Sequence, residues 1–432
     1  MSLHKTGLQN PRPVSFSLCG GRIAEVKLAS RHLKGGKIIQ ERRYDIDWLR
    51  VLAMMMVFFF HCARFFGGLI ATLFIGMLDL WIMPLFFLLS GAGSWYALKS
   101  RTGGQYLLDR VKRILIPLYG VGACILLLPQ AYFEAVTNEG YTGTFWEGLP
   151  LYIVSAFTTV PNLDNPFFFN VFWGHLWFLQ FLFLISLLVL PLLLFLRSER
   201  GQRFIAKLAG WCGRWGGIFL FLVPLAVVRV ALTHFFQGHD LSWAQFLNYA
   251  VFFVIGYIIP ADKRYTEGIK KVGWACLTLG IIGLTAEGVF IYVLNYNYAN
   301  MLRPGGEPFS LTYVLFNTAM SIASWSWIVF ILSLGAKYLN VKSKLVTYGN
   351  EAVLPFYIFH QTIILCVGWF VIRWNMGILP KYLIIAVASF ALIMVLYELL
   401  VRRFNVVRFF FGMRPKKKPS ATPVPLPEGT AA

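Results

Sequence analysis

Three ionisable side chains inside one apolar stretch are the groups most able to do chemistry. The stretch from Trp48 to Phe66 is about as long as a membrane-spanning helix, yet it contains Arg50, His61 and Arg64. At about 100° and 1.5 Å per residue, Arg50 and His61 share one helix face about 16 Å apart, and Arg64 lies about 60° from His61. Ionisable groups on a spanning helix are costly and normally face a bundle interior or a wet cavity. A histidine there can move protons, and an arginine can hold an anion.

The composition places these residues in a membrane protein. Of 432 residues, 58% are hydrophobic and only 13% are charged, more apolar surface than a water-soluble core of this size can hide. The net charge of +20 could suggest nucleic acid, but the basic residues lie between apolar segments rather than along one surface. We therefore expect membrane lipids, and no nucleic acid, among the partners.

Apolar segments of spanning length recur along the chain. They predict an all-α polytopic membrane protein with about ten transmembrane helices. The connection 134–171 holds a further short apolar piece around residues 149–157, which favours a re-entrant or interfacial helix. The predicted segments are 48–66, 77–98, 114–133, 172–196, 216–236, 244–260, 272–294, 311–335, 353–373 and 382–401.

The basic residues predict the orientation of these segments. Arg50 and the basic residues of the two ends and alternate loops make up 34 of the 39 Lys and Arg, while residues 134–171 contain four acidic residues and no basic one. Because cytoplasmic loops are enriched in Lys and Arg, both termini are predicted to be cytoplasmic. The predicted domains are a disordered cytoplasmic tail (1–43), the transmembrane domain (44–405) and a basic, Pro-rich cytoplasmic tail (406–432).

The six cysteines favour no metal or redox site. Four of them (Cys62, Cys124, Cys276 and Cys366) lie in apolar runs, and no CxxC pair or cluster of histidine and cysteine has metal-ligand spacing. We interpret them as small hydrophobic residues. A P-loop, a GxGxxG after a strand, HExxH and GxSxG are also absent from the sequence.

The second segment contains a run of small residues. It reads FFLLSGAG at residues 86–93, with Ser90 and Gly91 at its centre. Small side chains let another helix backbone or a ligand approach closely. Helix packing and ligand binding are both compatible with this pattern.

A basic cluster precedes the third segment. It reads RVKR at residues 110–113 and is followed by Pro117. Arg110 and Arg113 could simply fix the topology, because they lie at a predicted cytoplasmic helix end. Alternatively, the planar guanidinium groups could bind the phosphates of a ligand that arrives from the cytoplasm.

Two further motifs contain histidine. HLWF at residues 175–178 opens the fourth segment with His175 and Trp177, and PFYIFHQ at residues 355–361 places His360 in the ninth. A histidine between tryptophans at a membrane interface is often part of an aromatic belt. The alternative is a role in substrate binding.

These motifs, taken in order, resemble those of the integral-membrane acyltransferase 3 family. The similarity covers Asp47-x-Leu49-Arg50 with His61 following, FFxxSG, RxxR with a proline, HLWF, and a PFYxxHQ element of the branch that includes glucan-succinylating proteins. The sequence departs from the family pattern at Ala92, where the family usually has an aromatic residue. The resemblance implies transfer of an acetyl or succinyl group from acyl-CoA to a hydroxyl of a carbohydrate or glucan. It also implies a multi-pass protein of a bacterial plasma membrane, with no tightly bound cofactor.

Acyl transfer needs a base for the hydroxyl proton, and a histidine is suited to this role at neutral pH. We therefore expect His61 to be the base, with Arg64 and Glu287 as further catalytic residues. Glu287 is predicted to orient or neutralise a histidine, because it is the one acidic residue well inside a predicted span on the outer half. An acyl-enzyme formed on Ser90 or Cys62 is an alternative. The donor-binding residues are predicted to be Arg50, Arg110, Arg113, Ser90 and His360, and the acceptor-binding residues His175 and Trp177.

A transporter or lipid or glycan exporter is the competing function. In that interpretation His61, Arg64 and Glu287 form a proton or substrate pathway. Composition and topology fit both classes equally, so the preference for an enzyme depends on the motifs. A membrane scaffold would not need so many ionisable groups within its spans.

Overall fold

The computed structural model describes residues 43–138, 140–158, 174–235, 242–294 and 309–416, together with two short strands. The strands β1 Leu33–Lys34 and β2 Lys37–Ile38 pair antiparallel within the separate unit Met1–Arg43. The α-helices are α1 Tyr44–Ala63, α2 Leu69–Asp79, α3 Ile82–Lys99, α4 Gly103–Arg110, α5 Leu127–Asn138, α6 Phe145–Thr158, α7 Trp177–Leu188, α8 Leu190–Arg197, α9 Glu199–Cys212, α10 Leu222–Leu232, α11 Trp243–Ile258, α12 Lys263–Gly288, α13 Leu311–Tyr338, α14 Lys344–Val371, α15 Ile378–Leu396 and α16 Asn405–Phe410. The π-helical segments are Val111–Leu115, Pro117–Leu126, Val289–Val293 and Tyr397–Val401, and the 3₁₀ segments are Gly217–Phe221 and Ile259–Ala261.

Eight helical stretches in the described part of the chain are long and apolar enough to cross a membrane. They are Tyr44–Ala63, Leu69–Lys99, Gly103–Thr137, Trp243–Ala261, Lys263–Val293, Leu311–Tyr338, Lys344–Val371 and Ile378–Val401. A ninth candidate is α7 with α8, which are bent by 52° where Pro191 removes a backbone donor. The predicted segment 216–236 contains the shorter apolar helix Gly217–Leu232. The prediction of an all-α polytopic membrane protein is confirmed.

The two ends of the bundle differ in charge. Arg101, Arg110 and Arg113 lie near one end, where α3 ends and α4 begins, and we call this the basic end. We call the other end, where α1 finishes at Ala63, the opposite end. A cytoplasmic location for the basic end, and for both termini, stays a prediction, and so does the assignment of the two tails.

Helix α1 has clear sequence causes for its start and its end. Asp45 and Asp47 lie in its first turn, where the positive end of the helix dipole favours carboxylates. The helix ends shortly before Gly67-Gly68, where Gly68 has a φ of 101° that side chains other than glycine rarely adopt. Arg64 therefore lies just past the helix end instead of deep within a span, and its side chain is exposed.

Helices α3 and α11 cross at two glycines. A Cβ on Gly91 would lie 1.9 Å from the carbonyl oxygen of Phe253, and one on Gly256 would lie 1.9 Å from that of Leu88. Only glycine permits this approach, so the small residues of α3 do pack against another helix. Ser90, one residue before Gly91, and Gly93, two residues after it, line a cavity instead.

The C-terminal helix α16 packs on the third span. The Arg408 side chain, 5% exposed, donates a hydrogen bond to the Glu351 carboxylate at 2.8 Å. Gly412 has a φ of 67°, and a Cβ there would lie 2.7 Å from the carbonyl oxygen of Arg113. The segment 405–416, at the start of the predicted C-terminal tail, therefore reaches the basic cluster and places Arg414 beside it.

Candidate active site

Three histidines from three distant parts of the sequence meet inside the bundle. The ring centroids of His61 and His360 are 5.1 Å apart, and those of His175 and His360 are 4.8 Å apart. His61 lies on the last turn of α1, His175 just before α7, and His360 in the middle of α14. The bundle thus gathers three imidazole rings, which are groups able to accept and donate a proton.

His175 is fixed by a buried network. Its Nδ1 lies 2.8 Å from Oε1 of Gln130, whose amide nitrogen donates to the Glu134 carboxylate at 3.1 Å. Its Nε2 lies 3.1 Å from the carbonyl oxygen of Ile358, and its own carbonyl accepts a hydrogen bond from the Tyr357 hydroxyl. Both ring nitrogens face oxygen atoms, so His175 holds together α5, α7 and α14.

The nitrogens of His61 and His360 are less satisfied. His360 Nδ1 lies 2.6 Å from the Tyr357 carbonyl oxygen. Because a carbonyl can only accept, that nitrogen carries the proton, and Nε2 of the neutral ring presents a lone pair. His360 Nε2 and His61 Nδ1 are both buried and have no hydrogen-bond partner among the described residues.

A cavity of about 650 Å³ opens at the basic end, and we call it the inner cavity. Its apolar part is lined by Met54, Val57, Met83 and Phe178, and it reaches Tyr357 beside the histidines. Its charged part is lined by Asp47, Arg50, Arg101, Asp109, Arg110, Arg113 and Arg414. Five guanidinium groups against two carboxylates suit a polyanion attached to an apolar chain.

Some of these arginines are already engaged within the protein. Arg50 Nη1 donates to Asn350 at 2.8 Å, Arg101 pairs with Asp109 at 2.9 Å, and Arg110 donates to the Ser94 hydroxyl at 2.6 Å. The side chains of Arg113 and Arg414 make no hydrogen bond or ion pair to other described residues, although the Arg414 carbonyl oxygen accepts a hydrogen bond from Arg408 Nε at 2.8 Å. Their guanidinium groups are therefore available to a ligand.

Two cavities that share His61, Arg64 and Trp177 in their linings open towards the opposite end. The first outer cavity, about 520 Å³, is also lined by Val57 and Met83, which border the inner cavity as well. The second outer cavity, about 660 Å³, is lined by the His175 network and shares no lining residue with the inner cavity. Val57, which lines the inner cavity, precedes His61 by about one helix turn. At His61, the outer cavities therefore come within about one helix turn of the inner cavity.

Comparison with known proteins gives one finding about the family. A family model described as an acyltransferase domain matches residues 43–398, most of the chain. The chain belongs to the acyltransferase 3 family. No curated protein and no solved structure matches it.

Family membership makes this protein an acyltransferase, and the structure shows how the predicted residues group. Arg50, Arg110, Arg113 and Ser90 line the inner cavity, whereas His61 and Arg64 line the outer ones. The helical estimate that placed Arg50 and His61 along one face is consistent with this division. The two residues therefore border different cavities at different heights along the helix.

The other predicted residues are distributed less simply. Trp177 lines both outer cavities and Glu287 lines the first, together with Arg229 on α10. His175 lines the second, and His360 is fully buried beside His61 and away from the arginines of the inner cavity. The predicted roles of His360 in donor binding and of His175 in acceptor binding stay predictions.

Sequence reasoning missed several residues of this site. Gln130 is 1% exposed and lies in a predicted span, so a polar residue inside an apolar run was an available signal. Asn248, 5% exposed, offered the same signal in the sixth segment. The sequence had no such signal for Arg414. It lines the inner cavity because the chain turns at Gly412.

Proposed function

We propose that this protein moves an acetyl or succinyl group from acyl-CoA, bound at the cytoplasmic side of a bacterial plasma membrane, to a hydroxyl of an extracytoplasmic carbohydrate, with a glucan as the favoured acceptor. The observation that carries this proposal is the pair of opposed cavities that approach each other at His61. One of them is strongly cationic and the other contains a histidine. Such an arrangement suits a donor and an acceptor that enter from opposite sides.

The inner cavity has the chemistry that acyl-CoA requires. Arg113 and Arg414 at its mouth would bind the phosphates of the donor, and Arg50 and Arg110 add to the positive field. The apolar part towards Val57 would take the pantetheine arm and the acyl group. From Arg50 to Val57 is about 10 Å of helix, and one further turn of about 6 Å reaches His61.

His61 would act as the general base of the transfer. Nδ1 of His61 is buried, so the ring would present Nε2 to the outer cavities that the residue lines. As Nε2 takes the proton, the hydroxyl oxygen attacks the thioester carbonyl carbon, so a C–O bond forms and the C–S bond breaks. The imidazolium then returns the proton to the CoA thiolate, which leaves as the thiol. The step consumes no oxidant and no metal.

His360 would position this base. A base that acts through Nε2 carries its own proton on Nδ1, and that proton needs an acceptor. His360 Nε2 presents a lone pair in the adjacent ring, and its Nδ1 is anchored on the Tyr357 carbonyl. His360 in this role would hold the His61 ring in the tautomer and orientation that catalysis needs.

Radiolabelled acetyl-CoA and succinyl-CoA, supplied to the purified protein in lipid nanodiscs with the water-soluble glycan fraction of the host cell envelope, test the proposal. We expect label in alkali-labile esters on the glycan and release of free CoA in equal amount. A protein that left the glycan unlabelled with both donors, whether or not it bound them, would contradict an acyl-CoA:carbohydrate acyltransferase. Family membership favours transfer, and the arrangement of Arg64 and Glu287 gives no separate support to a transport pathway.

A further inference from the structure

We infer that the first outer cavity, between α1, α3, α10, α11, α12 and α13, is the binding site for the acceptor and that it takes a neutral, polyhydroxylated sugar chain. This inference rests on the proposed function and assigns its acceptor to one of two candidate cavities. The residues that would contact the sugar are Trp177, Arg229, Gln245, Asn248, Tyr249 and Glu287.

The charge of the cavity favours a neutral ligand. Arg64 and Arg229 are offset by Asp79 and Glu287, so the ionisable side chains in its lining balance. The inner cavity, in contrast, has three more arginines than aspartates. A polyanion would bind the inner cavity far better than this one.

The polar groups in the cavity suit hydroxyls. A sugar hydroxyl both donates and accepts, so its best partners are amides and carboxylates that offer both functions between them. Asn248 is 5% exposed, and its amide makes no hydrogen bond to another described residue. Glu287 Oε2 is buried and has no hydrogen-bond partner among the described residues. These two groups, on α11 and α12, are buried polar groups that a ligand would satisfy.

An aromatic wall completes the cavity. The rings of Trp177 and Tyr249 are stacked, with centroids 5.9 Å apart and planes at 28°, and Tyr249 is stacked in turn on Phe87 with centroids 4.6 Å apart. The rings therefore form one fixed apolar wall beside the polar groups. The C–H face of a sugar ring can pack on such a wall while its hydroxyls face Asn248 and Glu287.

The second outer cavity is the weaker candidate for two reasons. Three of its polar residues, Glu134, Gln130 and His175, are already engaged in a hydrogen-bonded chain, which leaves Thr137 Oγ1 and Gln361 Oε1 as buried atoms without a partner among the described residues. It also shares no lining residue with the inner cavity, from which the acyl group arrives. The first outer cavity meets the inner one at Val57 and Met83, so a hydroxyl bound there would lie on the side of His61 nearest the thioester.

Two variants of the first outer cavity and one of the second test this assignment. Glu287→Gln removes the charge and keeps the shape, and Gln245→Ala removes an amide near Asn248. With the soluble glycan fraction of the host envelope as acceptor, we expect each to raise the KM for glycan about tenfold, and to leave the KM for acyl-CoA unchanged. Thr137→Val, which alters only the second outer cavity, should change neither.

The outcomes separate this inference from the proposed function. An unchanged glycan KM in both first-cavity variants would overturn the assignment, and so would a tenfold rise of the glycan KM in Thr137→Val. In either case, transfer by the wild-type protein would leave the proposed function intact. Wild-type protein that binds acyl-CoA but labels no glycan would remove the proposed function itself, and the assignment with it. Unchanged acyl-CoA binding in each variant shows that the protein has folded.

Discussion

Replacement of His61 by glutamine is expected to lower acyl transfer by about 10²- to 10⁴-fold while acyl-CoA binding is kept. Glutamine approximates the shape of the histidine ring but cannot take the hydroxyl proton. Because His61 lines the outer cavities and not the inner one, its loss should leave the donor site intact. Single-turnover transfer from labelled acyl-CoA to glycan, measured beside equilibrium binding of acyl-CoA, separates the two effects.

A second histidine provides the control for this variant. His234 contacts the rings of Phe235, Phe309 and Tyr313 and lines none of the three cavities, so His234→Gln should transfer at the wild-type rate. Wild-type transfer should also decrease as the pH falls, since a protonated His61 cannot act as a base. Full activity of His61→Gln at matched protein levels would show that another group removes the proton.

Replacement of Arg113 by glutamine is expected to weaken acyl-CoA binding about 10- to 100-fold, the loss that removal of a charged hydrogen-bonding partner produces. Arg113 lines the inner cavity and is not paired with another described side chain, so its loss breaks no internal ion pair. Arg113→Lys should recover only part of the affinity, because lysine lacks the planar fork that binds phosphate oxygens in pairs. Isothermal titration of the purified protein with acetyl-CoA measures both values.

The neighbouring Lys112 is a matched control for Arg113. It carries the same charge at the same helix end and is exposed, as Arg113 is, but it does not line the inner cavity. Lys112→Gln should therefore bind acetyl-CoA normally. Equal losses in the two variants would indicate that the basic cluster acts through its general field or through topology, and that no specific phosphate site exists there.

The bundle could be predicted from the sequence because its signal is local. A run of apolar residues identifies a spanning helix without knowledge of its neighbours, so each of the ten predicted segments overlaps a helical stretch of the structure. The separation of Arg50 and His61 along α1 could also be predicted, since the number of residues between them fixes their distance on a helix. The bend of α7 and α8 and the early end of α1 at Ala63 depend on single prolines and glycines, which hydropathy alone does not resolve.

The convergence of the site could not be predicted in the same way. His61, His175 and His360 are more than 100 residues apart along the chain, and no local pattern states which helices will be neighbours. His360 is predicted from the sequence as a donor-binding residue, whereas only the packing of α14 against α1 places its ring beside His61. Arg414 lies outside the apolar segments, and a turn at Gly412 decides its position.

The most direct test of the account supplies donor and acceptor on opposite sides of one membrane. In proteoliposomes with protein of defined orientation, labelled acyl-CoA is given only at the face of Arg113 and the glycan fraction only at the face of Arg64. The account predicts labelled ester on the glycan with wild-type protein and at most about 1% of it with His61→Gln. Transfer that occurs only when acyl-CoA and glycan share one side would contradict the meeting of the inner and outer cavities at His61.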